Sequence, residues 1–146
     1  MPSPDDFVLL AARLGRIPEA AFVVVRRTAE GEPAVIRNAP LMRDGTPMPT
    51  RFWLVDPILQ AAVSRLESEG GVKAAEAAVD PDELAAAHAA YAAERDAAIP
   101  PGHAGPRPSG GVGGTAQGVK CLHAHYAYHL AGGQDPVGRW VEEQLA

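Results

Sequence analysis

Cysteine is nearly absent. Cys121 is the only one in 146 residues, so no internal disulfide can form and burial and hydrogen bonding must hold the fold. Aromatic residues make up only 5% of the chain while alanine is abundant, which points to helices packed closely through small side chains. No apolar run approaches the roughly 20 residues needed to span a bilayer. No basic segment followed by an apolar stretch marks the N-terminus as a secretory leader. The expectation is a cytoplasmic protein without a membrane partner.

A basic face is missing as well. The net charge is −5, and the excess comes from one region. Residues 1–60 hold seven basic and seven acidic side chains, residues 100–146 three of each, and residues 61–99 three basic against eight acidic. Nucleic-acid binders ordinarily present clustered lysine and arginine, so nucleic acid is not an expected partner.

What is present suffices for a packed core. Hydrophobic residues make up 47% and charged residues 21%, ordinary globular usage in a length typical of one domain. The expected fold class is α+β, a single domain over 1–146 with a small three-stranded antiparallel sheet covered by helices.

The elements follow from their punctuation. Asp5 and Asp6 precede an apolar stretch to Leu14, and Gly15 can end that helix. Phe22–Arg27 reads as a strand, Thr28–Pro33 as a turn and Ala34–Arg37 as an antiparallel partner. A third strand spans Arg51–Asp56. Asp56-Pro57, Asp80-Pro81 and Asp135-Pro136 each pair an N-cap aspartate with proline at the first helical position. They predict helices from Pro57 to about Leu66, from Asp82 to Ile99, and a short last one to about Leu145. Gly70-Gly71 ends or interrupts the first of these, and Pro100-Pro101 stops the second. Proline and glycine crowd residues 100–114, so no regular element fits there. A helix is expected from about Thr115 to Ala131, closed by Gly132-Gly133.

The segment Gly110–His129 carries the densest chemistry. Cys121, His123, His125 and His129 fall within nine residues. Thiolate and imidazole are the common ligands of zinc and related metals. At about 100° per residue, Cys121, His125 and His129 would share one helical stripe, with His123 on the other side. Three such positions span about 12 Å, too far for one ion, so a neighbouring pair is the plausible unit. His103, His88, Asp44 or Asp56 could complete the set. In an extended chain, Cys121, His123 and His125 would share a face instead. The candidate metal ligands are Cys121, His125 and His129, used as a pair, either Cys121 with His125 or His125 with His129, for a divalent ion such as zinc. The catalytic pair is Cys121, with a thiol activated near a helix start, and His125 as base. Packing alone also accounts for histidine, tyrosine and a lone cysteine on a helix.

Gly113, Gly114 and Thr115 stand where a helix start could bind an anion through free N–H groups, with Lys120 one turn on. Gly113 and Gly118 have phosphate-loop spacing, but Val119 displaces the lysine, Cys121 replaces the hydroxyl residue and no strand precedes the loop. That excludes a Walker-type site. Residues 37–51 form a connection too long for a simple hairpin, and its Arg37, Arg43 and Arg51 could clamp a carboxylate or phosphate. The anion-site residues are thus Gly113, Gly114, Thr115, Lys120, Arg43 and Arg51.

Two blocks, Arg37–Pro40 through Phe52–Pro57 and Gly110–Gly114 through Lys120–Ala127, resemble the bacterial family catalogued as domain of unknown function 501. The resemblance covers nearly the whole chain. It implies no established activity and assigns no catalytic residue. Members are often encoded beside a septum-formation initiator and an exopolyphosphatase-like enzyme, which implies a role near cell division or phosphate metabolism.

Two functions are expected from these residues. One is a metal- or anion-binding enzyme, a hydrolase of a phosphorylated or acidic small molecule. The other is a non-catalytic adaptor linked to cell division or the cell envelope, with the acidic helix around 81–99 as the docking surface for a protein partner.

Overall fold

The computed structural model describes residues 2–146. The elements run α1 (Pro4–Leu14), β1 (Phe22–Arg27), β2 (Pro33–Asn38), β3 (Phe52–Leu54), α2 (Pro57–Ser68), α3 (Gly71–Ala78), α4 (Pro81–Ala97), a 3-10 turn (Val112–Gly114), α5 (Leu122–Leu130) and α6 (Pro136–Leu145). The strands form one antiparallel sheet in the order β1-β2-β3. Val24 faces Ile36, and Ile36 faces Trp53.

Strand alternation decides where the helices go. Phe22, Val24, Ile36 and Trp53 point to one face, where they pack with Phe7 and Leu10 of α1. Val25, Val35, Phe52 and Leu54 point to the other, against the large core built with α2 to α6. A period of two along each strand divides the residues this way. β2 is central and covered on both sides: Val35 and Ile36 are fully buried. Full burial of such a side chain stabilises by about 1.5–3 kcal/mol. The architecture is α+β in a single compact domain. Among the described residues, no helix is long and apolar enough to cross a membrane.

Helix starts follow the Asp-Pro signals. Asp56 caps α2 through Leu59 N–H at 3.1 Å, and Asp80 caps α4 through Glu83 N–H at 3.0 Å. Asp135 caps α6 through two N–H groups, Val137 at 2.9 Å and Gly138 at 3.1 Å. At α1, Ser3 and Asp6 form a reciprocal capping box.

One helical expectation is narrowed and another needs correction. Of the two roles open to Gly70-Gly71, it interrupts the helical region, and the additional helix α3 starts at Gly71. A Cβ at Gly71 would lie 2.5 Å from the Leu66 carbonyl oxygen, so the turn requires glycine. The helix expected from Thr115 begins only at Leu122. Residues 115–121 are loop because Gly118 takes a left-handed φ of 67° and Cys121 is extended at φ −147°, ψ 119°.

The connection between β2 and β3 folds back on itself as a small hairpin. Leu41 bridges Pro47, and Asp44 Oδ1 accepts from Thr46 N–H at 2.9 Å.

Candidate functional site

α2 presents Gln60, Ser64 and Glu67 at i, i+4 and i+7, one stripe of a helix. This stripe faces the start of α5. Glu67 Oε2 accepts from Leu122 N–H at 2.8 Å, so a carboxylate already occupies the anion-favouring end of α5. The other oxygen, Oε1, lies 3.3 Å from His123 Nδ1. Cys121 Sγ lies 3.8 Å from the same Nδ1. His123 Nε2 faces the Ser64 hydroxyl at 3.1 Å and the Gln60 carbonyl at 3.3 Å. Glu67, Cys121 and His123 thus place one ligand atom each within 4.8 Å of one another.

The local backbone explains the trio. Cys121 is the extended N-cap residue of α5 and His123 lies in the first turn, which brings the thiol beside the His123 ring. The helical stripe of Cys121, His125 and His129 does not form, since Cys121 precedes the helix.

Electrostatics ties the trio together. Burial raises the Cys121 thiol, but hydrogen bonds with His123 and with Ala124 N–H outweigh it, and the thiol lies below its ordinary pKa. The hydrogen bond with Cys121, assisted by the Glu67 charge, holds His123 above its ordinary value against desolvation. Both displacements express one preference: positive charge is favoured between the sulfur and the carboxylate.

Cys121 and His123 open onto a cleft of about 400 Å³. Its walls include Phe52, Trp53 and Leu54 of β3, Gly113 of the 3-10 turn and Leu14 and Arg16 at the end of α1. That volume lies within the range of small-molecule sites.

The other residues singled out from the sequence have separate surroundings. His125 is fully buried, and its Nδ1–H donates to the buried Asp135 carboxylate at 2.6 Å. Its Nε2 has no hydrogen-bond partner among the described residues. His129 Nε2 lies 3.2 Å from a Glu142 oxygen. Gly113, Gly114 and Thr115 belong to a turn closed by Gly111 N–H to Thr115 O at 2.8 Å and Gly114 N–H to Gly111 O at 3.0 Å. The turn precedes α5 by a loop, so these residues are not at a helix start. Lys120 is exposed.

Two arginines of the long connection, Arg51 and Arg43, brace the fold. Arg51 is buried and grips both Glu94 oxygens at 2.9 Å, with a third bond to the Asn38 carbonyl at 2.7 Å. Arg43 donates to the Pro18 carbonyl.

Two structural anchors hold the glycine-rich loop: Arg95, which lay outside the sequence reading, and His88, which entered it only as a residue that could complete a metal-ligand set. Arg95 is 1% exposed and donates to the Gly110 carbonyl at 3.0 Å, tying α4 to the glycine-rich loop. His88 accepts from Val112 N–H at 3.0 Å through Nδ1 and donates through Nε2 to the Gly118 carbonyl at 2.8 Å. Both ring nitrogens are therefore satisfied in the neutral form, and burial lowers its pKa. Glu67 carried one signal in the sequence, its place on the polar Gln60/Ser64/Glu67 stripe of a helix that is otherwise apolar on that side.

No curated protein and no solved structure matches this chain. A family model, described as a protein of unknown function, matches residues 24–143, which include Glu67, Cys121 and His123. The chain belongs to this family, DUF501.

Proposed function

We propose that the chain is a metal-dependent hydrolase of small acidic or phosphorylated molecules, its ion held by Glu67, Cys121 and His123. The observation that carries this reading is the convergence of one carboxylate oxygen, one thiol and one imidazole nitrogen beside a cleft. A tetrahedral zinc ion with ordinary bond lengths separates sulfur from nitrogen by about 3.5 Å and nitrogen from oxygen by about 3.3 Å. The corresponding separations here are 3.8 and 3.3 Å.

The surroundings of the ligands support the same reading. If His123 Nε2–H donates to Gln60 O or Ser64 Oγ, the lone pair stays on Nδ1, toward the thiol and carboxylate. Glu67 is oriented by Leu122 N–H. Three protein ligands leave a fourth position for water, the pattern of catalytic rather than structural zinc. A divalent ion held by Glu67, Cys121 and His123 would supply Lewis acidity and a water acidified toward pH 7, the chemistry that hydrolysis of an acyl or phosphoryl group needs.

His125 is sealed against Asp135 and takes no acid-base role in this reading. The docking reading of α4 has less support, because Glu83, Glu94 and Asp96 are already paired with Arg139, Arg51 and Arg95.

Elemental analysis of untagged protein tests the proposal. Close to one equivalent of zinc, iron or manganese is expected, with at least tenfold weaker zinc binding in Cys121→Ser, His123→Ala and Glu67→Gln. His125→Gln should bind as the parent does. Metal-free protein whose zinc affinity is unchanged by Cys121→Ser refutes it. A metal-free protein with rapid, His123-dependent alkylation of Cys121 favours a second reading, a thiol nucleophile paired with imidazole at 3.8 Å.

A further inference from the structure

The identity of the substrate is narrowed by the charge of the cleft. A divalent ion bound to one thiolate, one carboxylate and a neutral imidazole is electrically balanced. Any excess charge in the cleft must come from its other walls. Those walls are apolar at Leu14, Phe52, Trp53, Leu54 and Val55, and the one charged side chain among them besides the histidine is Arg16.

Arg16 is held in place but not used up. Gly15 ends α1 in the left-handed conformation at φ 71°, and Arg16 N–H closes the turn onto the Ala11 carbonyl at 3.1 Å. This closure fixes where the chain leaves the helix. The Arg16 side chain is exposed, and its guanidinium makes no hydrogen bond or ion pair among the described residues. Arg13, Arg26, Arg27, Arg43 and Arg51 are each bonded to protein acceptors, and Arg16 is the one arginine among the residues that line the cleft. A planar donor fork left open at an apolar cleft suits a carboxylate or phosphate.

We propose that the cleft binds a small amphipathic anion, its negative head on Arg16, its apolar body on Phe52 and Trp53, and its reacting group at Cys121 and His123. This inference rests on the reading of the cleft as the active site. It specifies the substrate class: an acid or phosphate ester with a hydrocarbon or aromatic middle. A highly charged polyphosphate is disfavoured, since one arginine against apolar walls would leave most of its charge unpaired.

Fluorescence of Trp53 in a Trp140→Phe background reads binding directly, because Trp53 lines the cleft and Trp140 does not. The probes are octanoate, octyl phosphate and uncharged 1-octanol, each added to zinc-loaded and to chelator-treated protein. Both anions should bind about tenfold or more tightly over 1-octanol, as a charge-assisted hydrogen bond of about 1.5–3 kcal/mol implies. Arg16→Gln should remove that preference and leave 1-octanol binding unchanged, while Arg16→Lys should retain part of it. Equal binding of octanoate and 1-octanol, or an unchanged preference in Arg16→Gln, overturns the inference. The same titration in Cys121→Ser separates the two claims. An Arg16-dependent preference in a protein that takes up no metal keeps the substrate class and discards the ion. Metal uptake with no Arg16 dependence does the reverse.

Discussion

Three aspartates begin helices in this chain with the same Asp-Pro signal, and they should not be equally important. Asp80 accepts one N–H, from Glu83, at an exposed site. Asp135 is fully buried and accepts three donors: Val137 N–H, Gly138 N–H and His125 Nδ1–H. Replacing an N-cap aspartate with alanine costs about 1 kcal/mol. Asp80→Ala should show that loss alone. Asp135→Ala removes the cap and also strands a buried imidazole N–H, which adds about 1–3 kcal/mol. The expected total is about 2–4 kcal/mol, a large share of the roughly 5–15 kcal/mol that holds a domain together. Asp135→Asn should fall between the two, because its amide oxygen can still cap and its NH2 can meet the other tautomer of His125. Urea denaturation followed by far-UV circular dichroism measures all three. The midpoint should shift while the slope stays constant. An Asp135→Ala loss within about 0.5 kcal/mol of the Asp80→Ala loss would refute the claim that the buried His125–Asp135 pair anchors α5 to α6.

Two further outcomes follow from close packing and burial. Gly111→Ala would place a Cβ 2.6 Å from His88 Cβ and Nδ1, forcing His88 off Val112 N–H; a loss of about 1–3 kcal/mol is expected by thermal denaturation. Tyr91 is fully buried, and desolvation pushes its pKa up to about 12. The unfolded tyrosine ionises near 10, so between about pH 10 and 12 the unfolded state holds fewer protons and stability falls as pH rises. The decline should reach about 1.4 kcal/mol by pH 11 and about 2.7 kcal/mol above pH 12, and urea midpoints at pH 9 and pH 11 should differ by the smaller amount. A phenolate absorbance that appears in full near pH 10 in folded protein would contradict it.

Local chemistry determined much of this molecule. The Asp-Pro starts of α2, α4 and α6, the alternation of β1 to β3 and the Gly15 stop of α1 were legible because each depends on residues within one or two turns. The glycine-rich loop and the cluster Cys121–His129 were legible as the place to look. The stretch 115–121 was not, because a left-handed glycine at position 118 and a loop pinned by His88 and Arg95 override helical propensity. The grouping of Glu67 with Cys121 and His123 was not legible. Glu67 lies more than 50 residues before Cys121 and joins it only because α2 packs against the start of α5, bringing its carboxylate to Leu122 N–H. His125, the more attractive histidine by helical spacing, was withdrawn from the cleft by Asp135, and Arg51 by Glu94. The sequence determines which groups are chemically able, since that is a property of each side chain. Which of them remain free is decided by long-range pairing, which exists only once the helices have docked.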